Sequence, residues 1–344
     1  MAAKKKRVWR PTATVAAATL AVGVALGALA GLLFGPEVVG PGAEPAAASA
    51  PQAATSAPGG RSNADASALM GEPVRILRPQ ERPLPVLPAP MLPAGPEPAW
   101  RRFAAPPPET GGRPMVAIAL DDLGVDQEAT RDAAALSGPY TLSYLPYGRH
   151  LGAHVAAARA AGHEVLVHVP MQPEGRVADP GPDALLLGLG EAELLRRLRA
   201  GIDAVVGEAG GAVGINNHMG SLFTADPAGM ATVMRELRAR GMMFLDSRTT
   251  AASVGVAAAL AEGVPAVERD VFLDHVDSPG TIHHELARLE DIARREGTAI
   301  AIGHPRPHTL TALREWQVGL KERGIALVPL TAVLERRRQV AGRG

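Results

Sequence analysis

The sequence predicts an α/β fold built on a largely parallel sheet. Three observations lead there. Beyond Arg113, short apolar runs alternate with amphipathic helical stretches. The first run, 116–120, is apolar throughout, as in a strand covered on both faces. Polar residues then gather just past the ends of the runs, where parallel sheets bind ligands.

Taken in order, strands are expected over 116–120, 141–145, 164–169, 211–215, 242–245, 271–273, 298–302 and 326–329, with helices between them. The first strand drives straight into Asp121 and Asp122 and then Gly124. Adjacent carboxylates repel and are costly to desolvate unless they share a cation or a proton. The plainer alternative is a helix N-cap with a solvated neighbour. On extended backbone the two side chains diverge, so one can face an ion and the other a substrate. The third strand ends at His168, the fourth at Asn216, Asn217 and His218, the fifth at Asp246 and the seventh at His304. The best delimited helix has Asp226 as N-cap and Pro227 at its first position, and stops at Gly241. No internal repeat is visible.

Upstream of the alternating region the composition changes. Lys4, Lys5, Lys6, Arg7 and Arg10 precede an uncharged stretch over 11–36 that is long enough to cross a bilayer. It reads as a retained signal anchor, although small residues around 28–31 leave cleavage open. The basic cluster places the N-terminus in the cytoplasm and the rest of the chain outside. From 37 to 112 the chain is rich in Pro, Ala, Gly and Ser, a disordered, extended spacer that cannot bury enough apolar surface to fold. Its stretch 74–92 carries some hydrophobic residues that could dock onto the domain. The expected organisation is therefore 1–36 basic tip and transmembrane anchor, 37–112 linker, and 113–344 folded domain.

Composition narrows the partners. With no cysteine, the exported part must stabilise itself by burial. The formal charge is zero, 35 basic against 35 acidic residues, so nothing electrostatic points to nucleic acid. Aromatic residues are only 3%, so a sugar site has to rely on polar groups.

Five strand ends thus bring polar groups to one rim. A lone histidine such as His168 is more often a satisfied core residue than a ligand, but five coincidences outweigh that reading. One carboxylate and two imidazoles suit zinc or a similar divalent ion with a position open to water. A second carboxylate can take the proton of that water, and a histidine across the site can protonate a leaving group. The outcome is metal-assisted hydrolysis of an amide or ester.

Six motifs carry a resemblance. They are Asp-Asp-Leu-Gly, Gly-His-Glu-Val-Leu-Val-His-Val-Pro-Met, Gly-Ile-Asn-Asn-His-Met-Gly-Ser, Phe-Leu-Asp-Ser-Arg-Thr-Thr, Arg-Asp-Val-Phe-Leu-Asp and Ala-Ile-Ala-Ile-Gly-His-Pro. In this order, over about 114–334, they resemble the divergent polysaccharide deacetylase family, a distant branch of the chitooligosaccharide deacetylase-like carbohydrate esterases. The resemblance implies a distorted, incomplete (β/α) barrel. It implies Asp121 as catalytic base, Asp122 and His168 as metal ligands, and His304 as leaving-group acid, oriented or tuned by Asp246. The partner four residues after His168 should be histidine and is Gln172; His218 is expected to replace it. The tyrosine-bearing third motif is absent, leaving a backbone amide near Met219 or Gly220 for the oxyanion. Asn216, Asn217 and Ser221 either contact sugar hydroxyls or satisfy turn backbone, and His163 is either structural or functional. Arg248 and Arg269 are expected to pair with Asp246 or Asp270. Asp274, His275, Asp277, His283 and His284 crowd one region, and surface exposure is the expected reason for most. The function implied is zinc-dependent deacetylation of an envelope polysaccharide by a single-pass inner-membrane protein whose domain faces the periplasm. The alternative is a catalytically silent module that binds envelope glycan or protein.

Overall fold

The computed structural model describes residues 96–175, 178–207 and 211–341. The expected anchor over 1–36, most of the linker over 37–112 and the stretch 74–92 lie outside the described residues. Among the described residues no helix is long and apolar enough to cross a membrane.

The described elements are α1 (Ala99–Arg102), β1 (Met115–Leu123), α2 (Gln127–Ala134), β2 (Thr141–Tyr144), α3 (Leu151–Ala160), β3 (Glu164–Met171), α4 (Glu191–Val206) and β4 (Gly214–Met219). A 3₁₀ turn (Phe223–Ala225) leads to α5 (Pro227–Arg240), β5 (Met243–Asp246), α6 (Gly255–Glu262), β6 (Ala266–Glu268), β7 (Val271–Phe272), α7 (Pro279–Glu296), β8 (Thr298–Gly303), α8 (Pro307–Trp316), β9 (Ala326–Leu327) and α9 (Leu330–Ala341). The helix expected after Asp226 forms as read: the Asp226 side chain accepts the Gly229 N–H at 2.7 Å, and Gly241 ends it at φ 64°. β6 escapes sequence reading because three residues are too few to show an alternation.

All ladders are parallel, in the order β6-β5-β4-β3-β2-β1-β8-β7, with β9 beside the first residues of β1. β6 and β7 occupy opposite ends of that order, yet only Arg269 and Asp270 join them. Two linking residues span at most about 11 Å. Eight strands laid flat would set the ends roughly 34 Å apart, so the sheet has to curl. No ladder joins β6 to β7 among the described residues, and the result is a (β/α) barrel open at one seam.

The alternation of side chains sorts the core into two layers. Val116, Ile118 and Leu120 face the surrounding helices together with Val165, Val167 and Phe244. Ala117, Ala119, Leu166, Met243, Leu245, Ile300 and Ile302 point into the barrel, where Leu330, Val333 and Leu334 of α9 pack against them. Packing extends upstream of the expected boundary at 113. Trp100 is buried, its backbone N–H donates to the Gly241 carbonyl at 3.0 Å, and the guanidinium groups of Arg101 and Arg338 lie over its ring.

Candidate active site

Five strands carry their inward alternation one step past the apolar layer. Ala117 and Ala119 are followed by Asp121, Leu166 by His168, Gly214 by Asn216 and His218, Leu245 by Ser247, and Ile302 by His304. The carboxyl rim is therefore the next layer of the barrel interior, built from polar groups. Asp122 has the wrong parity to join it. A bulge between Leu120 and Leu123 shifts the β1–β2 register there, and Asp122 sits in the left-handed region at φ 63°. The two aspartates do not diverge as extended backbone would require. His168 Nε2 lies 3.2 Å from Asp122 Oδ1 and 3.7 Å from Asp121 Oδ2. Met219 (φ 53°) and Arg248 (φ 47°) are also left-handed at the ends of β4 and β5, so strained backbone collects around this rim.

Three ligand-type atoms meet in a triangle. Asp122 Oδ1 is 2.9 Å from His218 Nδ1 and 3.2 Å from His168 Nε2, and the two nitrogens are 3.2 Å apart. Asn216, fully buried, organises the floor. Its Nδ2 donates to both Asp121 oxygens at 2.9 and 3.0 Å and to Ser247 Oγ at 3.2 Å. Its Oδ1 accepts from the Ser143 hydroxyl and stands 2.9 Å from His168 Nδ1. A carboxylate only accepts, so the amide's nitrogen must face Asp121 and its oxygen must face His168. His168 Nδ1 therefore carries a proton, which leaves Nε2, facing Asp122 and His218, as the nitrogen able to ligate.

His304 Nδ1 pairs with Asp274 Oδ1 at 3.0 Å, and the His304 backbone N–H donates to Asp274 Oδ2 at 2.7 Å. Thr309 also donates to Asp274, which is wholly buried. Asp246, expected to orient His304, does not reach it. It has the helix-facing parity of Phe244, and its oxygens accept the Arg248 N–H at 2.8 Å and the Ser253 hydroxyl at 2.6 Å. Asp274 shares the parity of Phe272 on β7, which is the signal that could have found it. His304 Nε2 faces the site, 3.6 Å from Asp122 Oδ2.

The remaining candidates are mostly braces. Asn217 donates to the Met219 carbonyl at 2.7 Å and accepts the Ser247 N–H at 2.9 Å. Ser221 Oγ accepts the Glu174 N–H, away from the triangle. With Asn216 bound to Asp121 and His168, all three polar side chains are committed to protein partners. Gln172 does not join the site; its Oε1 accepts the Leu187 N–H at 2.7 Å. His163 sits at the start of β3, bonded to Tyr140 N and Ala134 O, a structural role. Arg248 pairs with Glu268 and Asp270 with Arg337, not in the combinations expected, and Arg269 bonds the carbonyls of Ser247 and Arg248.

Burial pushes the Asp121 carboxyl above its ordinary range; the charges of His168 and His304 oppose that shift without cancelling it. Burial pushes Asp122 the same way, but the imidazoles of His168 and His218 outweigh it and hold this carboxyl below the usual range. For His304 burial lowers the pKa and Asp274 more than restores it, leaving it raised. The adjacent acids are thus driven in opposite directions, one held ionised and one able to take a proton. A 510 Å³ cavity opens on Asp121, His168 and Ser247, and a 780 Å³ groove along α2 and α8 meets it at Asp122, His218 and His304.

Residues 118–334 match the divergent polysaccharide deacetylase family. The chain belongs to that family. It is similar to an uncharacterized Haemophilus influenzae protein, 34% identical over 208 residues, which are 60% of this chain and 71% of the relative. It is equally similar to the uncharacterized Escherichia coli protein YibQ, 34% identical over 219 residues, 64% of this chain and 67% of that one. A crystal structure of an uncharacterized Agrobacterium tumefaciens protein superimposes with a TM-score of 0.64 at 30% identity, covering 68% of this chain and 94% of that one.

In this divergent polysaccharide deacetylase domain, Asp122, His168 and His218 form a cluster able to hold a metal ion. The donor set fits one. Asp122 Oδ1 is shut off from solvent and accepts no hydrogen bond, an orphaned acceptor facing two ring nitrogens. Atoms bound at about 2.0–2.2 Å to one tetrahedral ion lie roughly 3.3–3.6 Å apart, a few tenths of an ångström more than the sides of this triangle. Asn216 supplies the outer hydrogen bond that fixes a ligating histidine.

Proposed function

We propose that this domain is a zinc-dependent hydrolase that removes acetyl groups from an acetylated polysaccharide of the cell envelope. The observation that carries the reading is the Asp122–His168–His218 triangle flanked by buried Asp121 and by the His304–Asp274 pair. Membership of the divergent polysaccharide deacetylase family supports it.

A divalent cation at the triangle would polarise the acyl carbonyl and ease removal of a proton from the attacking water. Asp121 takes that proton, and Asn216 keeps both its oxygens aimed at the site. His304 offers Nε2 to the leaving group while Asp274 holds the Nδ1 proton. As the acyl C–N or C–O bond breaks, His304 gives its proton to the sugar nitrogen or oxygen, and acetate leaves.

The test is metal content and acetate release from acetylated cell-wall fragments, in the wild type and in Asp121→Asn. The expected result is one equivalent of zinc in both proteins, with turnover lower by roughly 10²- to 10⁴-fold in the variant. Undiminished turnover in Asp121→Asn would remove Asp121 as base, and a metal-loaded wild type that releases no acetate would favour a silent glycan-binding module. For the chain upstream we propose a single inner-membrane anchor over 1–36 and a spacer from 37 to the packed segment that begins just before α1, with the domain in the periplasm. The basic cluster and uncharged stretch support that placement. Protease added to spheroplasts should then digest the domain, and full protection would reverse the topology.

A further inference from the structure

We propose that Arg269 is an anion anchor of the catalytic cavity, and that the glycan accepted there carries a carboxylate next to the acylated sugar. The substrate class rests on the hydrolase reading above. The binding claim does not.

Arg269 sits at the seam between β6 and β7 and lines the cavity with Asp121, His168 and His304. Among the described residues its charge has no carboxylate partner, because its neighbours are already paired. Arg248 meets Glu268 at 2.8 Å, and Asp270 meets Arg337 at 2.6 Å. Burial lowers the Arg269 pKa, Arg248 lowers it further, and the charges of Asp121 and Asp246 do not restore it. A half-buried cation in that condition is relieved by an incoming anion.

The side chain is also pre-set for one. Nε donates to the Ser247 carbonyl at 2.9 Å and Nη2 to the Arg248 carbonyl at 3.1 Å. The guanidinium lies over the Phe272 ring, 5.0 Å from its centroid. Of its five N–H groups three stay free: one on Nη1 and one on Nη2 lie side by side on the end-on edge, and the second on Nη1 points to the flank. That edge is a fixed fork of the spacing a carboxylate accepts bidentately, and holding it rigid lowers the entropy lost on binding.

Its place names the side of the substrate. The Phe272 ring that carries the guanidinium lies 5.7 Å from the His304 ring, so the fork shares a wall of the cavity with the group assigned to protonate the leaving sugar. On that wall the fork would meet a carboxylate of the leaving glycan.

Two probe pairs test this on metal-loaded protein. One pair is a peptide-free tetrasaccharide bearing lactyl carboxylates on alternate N-acetylated sugars, with its carboxyl-reduced twin. The other is a tetrasaccharide of alternating N-acetylglucosamine and glucuronate, with its reduced twin. The readouts are Kd by calorimetry and, where acetate is released, kcat/KM. The wild type is expected to favour the intact member of one pair by about tenfold or more, and the pair that shows it names the source of the carboxylate. Arg269→Met should bring that ratio close to one, and Arg269→Lys, a charge without a fork, should leave an intermediate ratio. A ratio near one for both pairs in the wild type overturns the proposal, as does a ratio that survives in Arg269→Met. A uniform loss on intact and reduced twins would assign Arg269 to the acyl group and overturn it equally. Should Arg269→Met fail to fold, the wild-type and Arg269→Lys ratios decide. Preserved ratios with no acetate release would sink the hydrolase reading and leave the anchor standing.

Discussion

Asn216 touches the proposed base, one proposed metal ligand and two serines, yet offers no atom to the ion itself. Its amide works because it has two faces: the nitrogen donates to Asp121, and the oxygen fixes the proton on His168 Nδ1. Asn216→Ala removes both and leaves His168 free to choose its tautomer. Loss of such an outer hydrogen bond usually costs metal affinity by about 10- to 100-fold. That drop is the expected outcome in zinc competition against a chromogenic chelator, with the fold retained by circular dichroism. Unchanged affinity would show that packing alone holds His168. Sequence reading placed Asn216 among sugar contacts or turn residues; its burial and its parity, shared with Gly214, were needed to see a brace.

At the scale of elements, strand pairing sets the accuracy of the rim. β4 brings Asn216 into register with both β3 and β5 and His218 into register with β3, and Gly214 pairs with Met243 of β5. A Cβ built on Gly214 would lie 2.1 Å from the Met243 carbonyl oxygen, a backbone atom that cannot swing aside. Gly214→Ala must therefore spread the two strands, at a cost of about 1–3 kcal/mol and a fall of a few degrees in Tm. Metal affinity should fall with it, because His218 lies four residues further along the same strand. Gly152→Ala is the control: it stands exposed near the start of α3, and an added Cβ would meet nothing within 4 Å, so stability should hold or rise slightly. A Tm for Gly214→Ala equal to that of Gly152→Ala would refute the close-approach argument.

The whole molecule is tied together at the opposite end by Glu164. This carboxylate opens β3, is fully buried, accepts the Thr331 N–H at 3.1 Å and its hydroxyl, and accepts the Ala105 N–H at 3.3 Å. It thus links α9 and the segment after α1 to the base of the barrel. Burial pushes its pKa up to about 7, with the bonds from Thr331 and Ala105 only partly opposing the shift. In the unfolded chain it titrates near 4.5, so between about pH 4.5 and 7 the folded state holds a proton that the unfolded state has lost. Stability from this group is full below that window and falls through it, by roughly 3 kcal/mol at most. Glu164→Gln, which resembles the protonated form, should flatten the decline in denaturant midpoint across the window. An equally steep decline in the variant would place its cause elsewhere.

Much of the fold was legible because its signals are local. Seven of the expected strands begin within one residue of those found, and the rim residues Asp121, His168, His218 and His304 were visible as polar groups ending apolar runs. β6 was lost to its brevity, and the upstream packing of Trp100 was hidden in proline-rich chain. The pairing of side chains was not local. Asp274 rather than Asp246 serves His304, because alternation turns residue 246 toward the helices and residue 274 into the barrel. Asp122 reaches the imidazoles only because a bulge and a left-handed residue turn it inward. The strands and the polar groups that end them follow from short apolar runs that any local stretch of chain records. Which carboxylate meets which imidazole depends on bulge, parity and the curl of the sheet, and only the assembled barrel sets those.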